Sequence, residues 1–226
     1  MNNATEEMEH LHQLAKRDPR KQFDHLWEIL TDPQWLMQAW EEIRRNKGSM
    51  TPGVSDTTAV DMNPERIKKL AKRLRANRYR PTPVRRTYIP KANGKKRPLG
   101  IPDPDDKTVQ QGLKMLLEPI FEADFLPCSH GFRPKWSTHT ALRDVSRAYS
   151  RTSWVIEWDI EGCFDNISHG KLMKVIAKRM ADGKIRRLIK QFRDAGYMED
   201  WKDHRTYSGT PQGGVLTLPT KLQKGW

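Results

Sequence analysis

Residues 84–102, VRRTYIPKANGKKRPLGIP, read as two short strands joined by the turn KANGK at 91–95. Asn93-Gly94 favours a tight hairpin, because both residues accept backbone angles that most others resist. Helical texture flanks the stretch on both sides, and this change from helix to strand marks the chain as α+β. Lys91 and Arg97 fall on opposite arms of the hairpin. A lysine point charge and an arginine fork so placed suit clasping a triphosphate, and suit equally a basic hairpin on a general nucleic-acid surface.

Working toward the N-terminus, the hairpin closes a basic stretch. Residues 64–100 hold fourteen Lys/Arg and one acid, Glu65. Taking these from the totals of 41 basic and 28 acidic residues leaves 27 of each elsewhere, so the net charge of +13 is concentrated here. That is the footprint of a surface for a polyanion rather than of a uniformly basic protein, and a solvated charged helix is the plainer alternative. The candidate nucleic-acid contacts are Lys68, Lys69, Lys72, Arg73, Arg75, Arg78, Arg80, Arg85, Arg86, Lys95 and Lys96. Asn63 and Pro64 start a helix with Ile67, Leu70, Ala71 and Leu74 inward and the bases outward. A loop rich in turn formers, GSMTPGVSDTTAVDMN, precedes it. Before that, Asp32 caps and Pro33 opens a helix with Trp35, Leu36, Ala39, Trp40 and Ile43 inward, stopped by Gly48. Phe23, Leu26, Trp27 and Leu30 predict helix across the first thirty residues.

Toward the C-terminus, DPDDKTVQQGLKMLLEPIFE predicts a helix entered through acids and packed by Val109, Leu113, Leu116 and Leu117. HGFRP at 130–134 is a turn leading into another helix. In SWVIEWDI, Trp154, Ile156, Trp158 and Ile160 alternate with Val155, Glu157 and Asp159, which predicts a strand with one apolar face buried against helices. Asp159 then stands at the strand's C-terminal end, open to a cleft. Asp165, six residues on, begins the turn and cap DNISH; the residues alone leave open whether the pair is catalytic or merely ends a strand and caps a helix. Helices are expected from about Gly170 and around IRRLIKQFRDAGY. GTPQGG at 209–214 is a glycine-flanked turn that lets backbone approach a ligand while Gln212 hydrogen-bonds it.

Composition excludes several classes. No apolar run approaches the ~20 residues of a membrane span, and the polar start MNNATEEMEH is no signal peptide. Cys128 and Cys163 form neither a CxxC nor a Cys/His cluster, so zinc is not expected and a reducing cytoplasm fits.

The order IPKANGKKRPLGIP, HGFRP, WDIEGCFDNISH, GTPQGGVL resembles the successive sequence blocks of bacterial reverse transcriptases, above all the group II intron-encoded (maturase) type. AWEEIRRNKGSMTPGVS resembles the additional block at the start of those proteins, and the likeness runs from about residue 35 to 216. It implies the fingers and incomplete palm of a right-hand polymerase, helices packed on a small, mostly antiparallel sheet. The implied division is an N-terminal helical extension to residue 60, fingers over 61–150, partial palm over 151–216 and a divergent tail. By the same resemblance Asp159 matches the first catalytic aspartate, a ligand of both Mg²⁺ ions, and Ile160 the residue whose carbonyl also binds metal. Phe164 matches the aromatic gate that excludes a 2′-hydroxyl, Lys91 and Arg97 the grip on the dNTP triphosphate, and Gln212 the residue near its sugar. Arg133 matches a support for template or palm and joins the nucleic-acid set. The implied partners are intron or template RNA, a DNA primer and dNTPs, with the primer 3′-hydroxyl attacking the α-phosphate.

After GTPQGGVL the likeness stops: the chain reads TLPTKLQKGW, and no Tyr-Ala-Asp-Asp occurs anywhere in it. Mg²⁺ takes near-octahedral oxygen ligation, and one aspartate with one carbonyl is a poor site for two ions. The expectation is a truncated form that binds RNA without copying it. An RNA-binding splicing cofactor and a remnant without activity are the alternatives.

Overall fold

The computed structural model describes residues 3–90, 94, 96–131, 133–149, 152–158, 160 and 168–204. Four helices come first: α1 (Asn3–Arg17), α2 (Leu26–Leu30), α3 (Pro33–Arg44) and α4 (Pro64–Arg75). The hairpin β1 (Val84–Pro90) and β2 (Lys96–Ile101) follows, then α5 (Pro104–Glu122), α6 (Thr138–Tyr149), α7 (His169–Arg179), α8 (Gly183–Asp194), β3 (Tyr197–Glu199) and β4 (Lys202–His204).

Side-chain caps set several of these boundaries. The Asp32 carboxylate accepts the Gln34 N–H at 2.7 Å ahead of Pro33, and Asn63 Oδ1 accepts the Arg66 N–H at 2.9 Å ahead of Pro64. Asp182 does this for two helices at once. Its Oδ1 accepts the Lys184 and Ile185 N–H groups of α8 at 2.9 and 3.1 Å, while Oδ2 accepts the Trp27 N–H of α2 at 2.8 Å.

α5 is the centre of the core. Val109, Leu113, Leu116, Leu117 and Ile120 are fully buried, and apolar residues on nearly every side of it meet α1, α2 and α3, as expected of a helix enclosed by others. Gly112 permits the closest approach: a Cβ there would lie 3.0 Å from Leu30 Cδ1, and its carbonyl accepts the Trp35 Nε1–H at 3.1 Å. Ile176 of α7 and Ile185 and Leu188 of α8 complete the same core.

The sheet order is β2-β1-β3-β4. β1 pairs antiparallel with β2 from Arg85↔Ile101 to Pro90↔Lys96, parallel with β3 at Val84↔Tyr197, and β3 pairs antiparallel with β4. The β3–β4 hairpin departs from the sequence expectation, which extends the last helix to Tyr197. That helix ends at Asp194, Gly196 turns left-handed (φ 74°), and Tyr197 begins a strand. Asp200 and Trp201 then form a two-residue turn, both with positive φ (49° and 62°), the geometry that matches the twist of a tight hairpin. Two smaller differences lie near the start. The first predicted helix is broken between Arg17 and Leu26, and α3 ends at Arg44, ahead of a 3₁₀ turn over Lys47–Met50 rather than at Gly48.

The strand expected at 153–160 is a correction. Residues 152–158 and 160 join no strand, and Trp154, Ile156 and Trp158 are 90, 88 and 77% exposed. An alternating pattern holds a strand only where a neighbour pairs with it and something covers its apolar face; β1 pairs with β2 and, at Val84 and Arg85, with β3, and no described strand flanks this segment. α6 beside it in sequence likewise buries none of its residues, leaving Leu142, Val145 and Tyr149 exposed.

Candidate nucleic-acid interface

α4 is sorted by its periodicity. Ile67, Leu70, Ala71 and Leu74 face the core, which leaves Lys68, Lys69, Lys72, Arg73 and Arg75 on the exposed face. Some of this charge is engaged locally. Lys68 bonds Glu65 at 2.9 Å, and that hydrogen bond, with the surrounding lysines, holds the Glu65 carboxyl below the usual range. Asp105 collects Arg66 at 2.7 Å and Arg73 at 3.3 Å, tying α4 to the start of α5. Arg78 and Arg80 are exposed in the turn beyond α4, where Arg80 donates to the carbonyls of Asn77 and Tyr79.

The hairpin is fixed from below by buried polar groups at the first turn of α5. Asp106, 2% exposed, accepts the Tyr79 hydroxyl, the Thr82 N–H at 2.9 Å and the Thr82 hydroxyl at 2.5 Å. Burial raises the Asp106 carboxyl above its ordinary value against the pull of those donors, and the same burial pushes the Tyr79 phenol well up. Asp103 Oδ1 accepts the Ser55 N–H at 3.0 Å, and Gly53 lies so close that a Cβ would fall 2.1 Å from that oxygen. Lys107, its ammonium pushed down by burial, donates to the Thr51 carbonyl at 2.7 Å. Acids that read in sequence as a helix start thus gather the 48–58 loop and the segment leading into β1.

On that base the hairpin presents its cations on alternating faces. Directly paired residues share a face, so Arg86, Tyr88, Pro98 and Lys96 lie on one side and Arg85, Thr87, Leu99 and Arg97 on the other. Lys96 and Arg97 are exposed at its outer end; Lys91 and Lys95 lie outside the described residues. Asp159, Phe164 and Gln212 lie outside them too, while the described Ile160 is exposed and in no regular element.

α8 is the contributor that sequence reading missed. Ile185, Leu188 and Ile189 turn inward, and Lys184, Arg186, Arg187, Lys190 and Arg193 are spaced between them. Arg187 donates to Asn77 Oδ1 at 2.5 Å, and a shallow cavity lined by Trp27, Asn77, Arg80, Lys184, Arg187 and Gln191 joins the end of α4 to α8. The charge pattern of this helix was the available signal.

Arg133, expected as a support for template or palm, is engaged mainly with its own neighbourhood. Its side chain is 8% exposed, bridges to Glu122 at 2.7 Å, and donates to the Leu126 and Ser129 carbonyls at 2.9 and 2.7 Å. Its guanidinium also lies near the Phe125 and Trp136 rings, 5.2 and 4.6 Å from their centroids. With most of its donors engaged in this way it braces the HGFRP turn. Among the described residues, no group of three or more His, Cys, Asp or Glu could hold a metal ion, and no helix is long and apolar enough to cross a membrane.

Residues 89–218 match the family "Reverse transcriptase (RNA-dependent DNA polymerase)". The chain is 46% identical over 196 residues to the group II intron-encoded protein LtrA of Lactococcus lactis subsp. cremoris, covering 86% of this chain and 33% of that protein. It is 37% identical over 211 residues to protein YkfC of Escherichia coli (strain K12), covering 90% of this chain and 55% of that one. The chain therefore spans between a third and about half of these relatives. The solved Cas6-RT-Cas1--Cas2 complex contains a similar fold, at TM-score 0.55 and 20% identity, covering 88% of this chain and 21% of that one. The blocks from the β1–β2 hairpin to GTPQGG and the helices before them thus match as a continuous whole, and the chain belongs to the reverse transcriptase family, in its group II intron-encoded, maturase-type branch.

Proposed function

We propose that this chain binds RNA through the basic face of α4, the 77–80 turn, α8 and the β1–β2 hairpin, as the fingers portion of a group II intron-type reverse transcriptase. The observation that carries the reading is the junction at Asn77, where Arg187 from 110 residues further along the chain meets the end of α4 and makes two basic helices one surface. Lys and Arg that neutralise phosphates release condensed counterions, so affinity falls steeply with salt. If about five phosphates are contacted, the log–log slope is roughly −3 to −5, depending on strandedness. Filter binding across a salt series tests this. Charge reversal at Lys68, Lys72 and Arg75 flattens the slope, and salt-independent binding would overturn the reading.

The polymerase roles belong, on this reading, to the longer protein. Asp159 and the Ile160 carbonyl would contribute to holding Mg²⁺, Lys91 and Arg97 would grip the dNTP, Phe164 would exclude a 2′-hydroxyl and Gln212 would face the sugar. One carboxylate and one carbonyl do not fit a two-ion site, so we assign this chain no step of nucleotidyl transfer by itself. With Mg²⁺, dNTPs and an RNA–DNA primer-template, the purified 226-residue chain should extend no primer above background. Clear template-dependent extension would reject that assignment. In a polymerase supplying the further carboxylates, Asp159→Ala abolishes extension and leaves RNA affinity largely intact.

A further inference from the structure

Arg86, Tyr197 and His204 come from three different strands and stand in a row. The Arg86 guanidinium carbon lies 3.3 Å from the Tyr197 ring centroid, and the Tyr197 and His204 rings stack at 4.9 Å with 13° between their planes. The register explains the row. Tyr197 and His204 are directly paired across β3 and β4, and Arg86 lies two residues along β1 from Val84, the partner of Tyr197. Both faces of the Tyr197 ring are therefore occupied. Among the described residues β4 is the edge strand and His204 is exposed, so the row ends there at the sheet edge.

We propose that this row is a stacking platform for an unpaired base of a bound RNA strand, the base extending the series guanidinium, phenol, imidazole beyond His204. Cross-strand packing alone would account for one aromatic pair. Three stacked groups of which one is a cation, ending on the exposed His204 at the edge of the described sheet, have the construction that proteins use to hold single-stranded nucleic acid. Charge is complementary to a polyanion. Arg86 and Lys202 lie on or beside the row, and the carboxylate on the same face, Glu199, accepts a hydrogen bond from the Tyr88 hydroxyl at 2.5 Å. Trp201, at the turn between the two strands, is 85% exposed and adds an aromatic surface beside them. The proposal rests on the RNA-binding reading above and adds to it a preference for unpaired bases.

A single-stranded RNA of about 12 nucleotides carrying 2-aminopurine is the probe, with a blunt RNA duplex of equal length as comparison. Binding to the full chain should quench the 2-aminopurine. His204→Ala and Tyr197→Leu should each remove the quenching and weaken single-strand binding about 5- to 100-fold, leaving duplex affinity and the salt slope unchanged, because neither change removes a partner of a phosphate. His204→Tyr keeps a ring at the end of the row and should keep the quenching, which separates loss of stacking from loss of fold. Wild-type binding of both RNAs with equal affinity, or a His204→Ala chain that quenches as wild type does, overturns the platform and leaves the RNA-binding reading standing. A wild-type chain that binds neither RNA at low salt overturns both.

Discussion

Replacing Asp106 by asparagine isolates what holds the hairpin in place. The carboxylate is 2% exposed and accepts three hydrogen bonds, one from the Tyr79 hydroxyl and two from Thr82. An amide has one oxygen. Turned with that oxygen toward Tyr79, it sets an NH₂ against the Thr82 N–H, which is left without an acceptor. Turned the other way, it leaves the Tyr79 hydroxyl proton without one. Either orientation strands one donor, the buried Tyr79 hydroxyl or the part-buried Thr82 N–H, at up to about 1–3 kcal/mol, partly offset because the carboxylate's own burial penalty disappears. The pH dependence gives a sharper test. Burial raises the Asp106 carboxyl above 3.8, so between 3.8 and its raised value the native state binds more protons than the unfolded one. Stability from this group therefore rises as pH falls through that window. The amide of the Asp106→Asn variant has no proton to take up there, so the gap between wild type and variant should widen on acidification. Urea unfolding of both proteins at about pH 7 and just below the ordinary carboxylate value measures the gap, since other groups largely cancel in the difference. A gap that narrows in acid would mean that the donors outweigh burial, and the reasoning would fail.

Gly53→Ala should cost about 1–3 kcal/mol by overpacking, because the new Cβ would fall 2.1 Å from Asp103 Oδ1 and 2.7 Å from its N; an unchanged urea midpoint would show that the loop has room. Arg187→Glu with Lys190→Glu should weaken RNA binding and flatten the salt slope by about one for each phosphate no longer neutralised, and an unaltered slope would remove α8 from the interface. Arg133→Ala should lower stability by roughly 3 kcal/mol, since it leaves Glu122 largely buried and unpaired, while the salt slope of RNA binding stays as it was. A reduced slope would show that Arg133 also neutralises a phosphate.

The elements that could be read from the chain are those whose signals are local. Asp32-Pro33 and Asn63-Pro64 start helices whose apolar residues recur at helical spacing, and Asn93-Gly94 lies between the arms of the β1–β2 hairpin. The β3–β4 hairpin has strands of three residues, too short to show a period, and its turn is Asp200-Trp201, without a glycine. The segment 153–160 carries a strand's alternation, but alternation states a preference and pairing is a property of neighbours, and no described strand lies beside it.

The candidate interface divides along a similar line. Its charge could be counted from the chain, but where each guanidinium is directed could not. Arg73 leans on Asp105, Arg86 lies on Tyr197, Arg133 is held by Glu122, and Arg187 reaches across to Asn77. The nearest of these pairs in sequence, Arg133 and Glu122, is eleven residues apart, and Arg187 and Asn77 are 110 apart. A basic residue serves a polyanion only to the extent that its donors remain accessible after folding. On the proposed RNA-binding reading, that ranks Lys72, Arg75 and Arg78 above Arg133 as candidate contacts, and it brings in Arg187 and Lys190, which lie far outside the basic stretch. A charge-reversal scan ordered by exposure should therefore rank these residues differently from a scan ordered by position in residues 64–100.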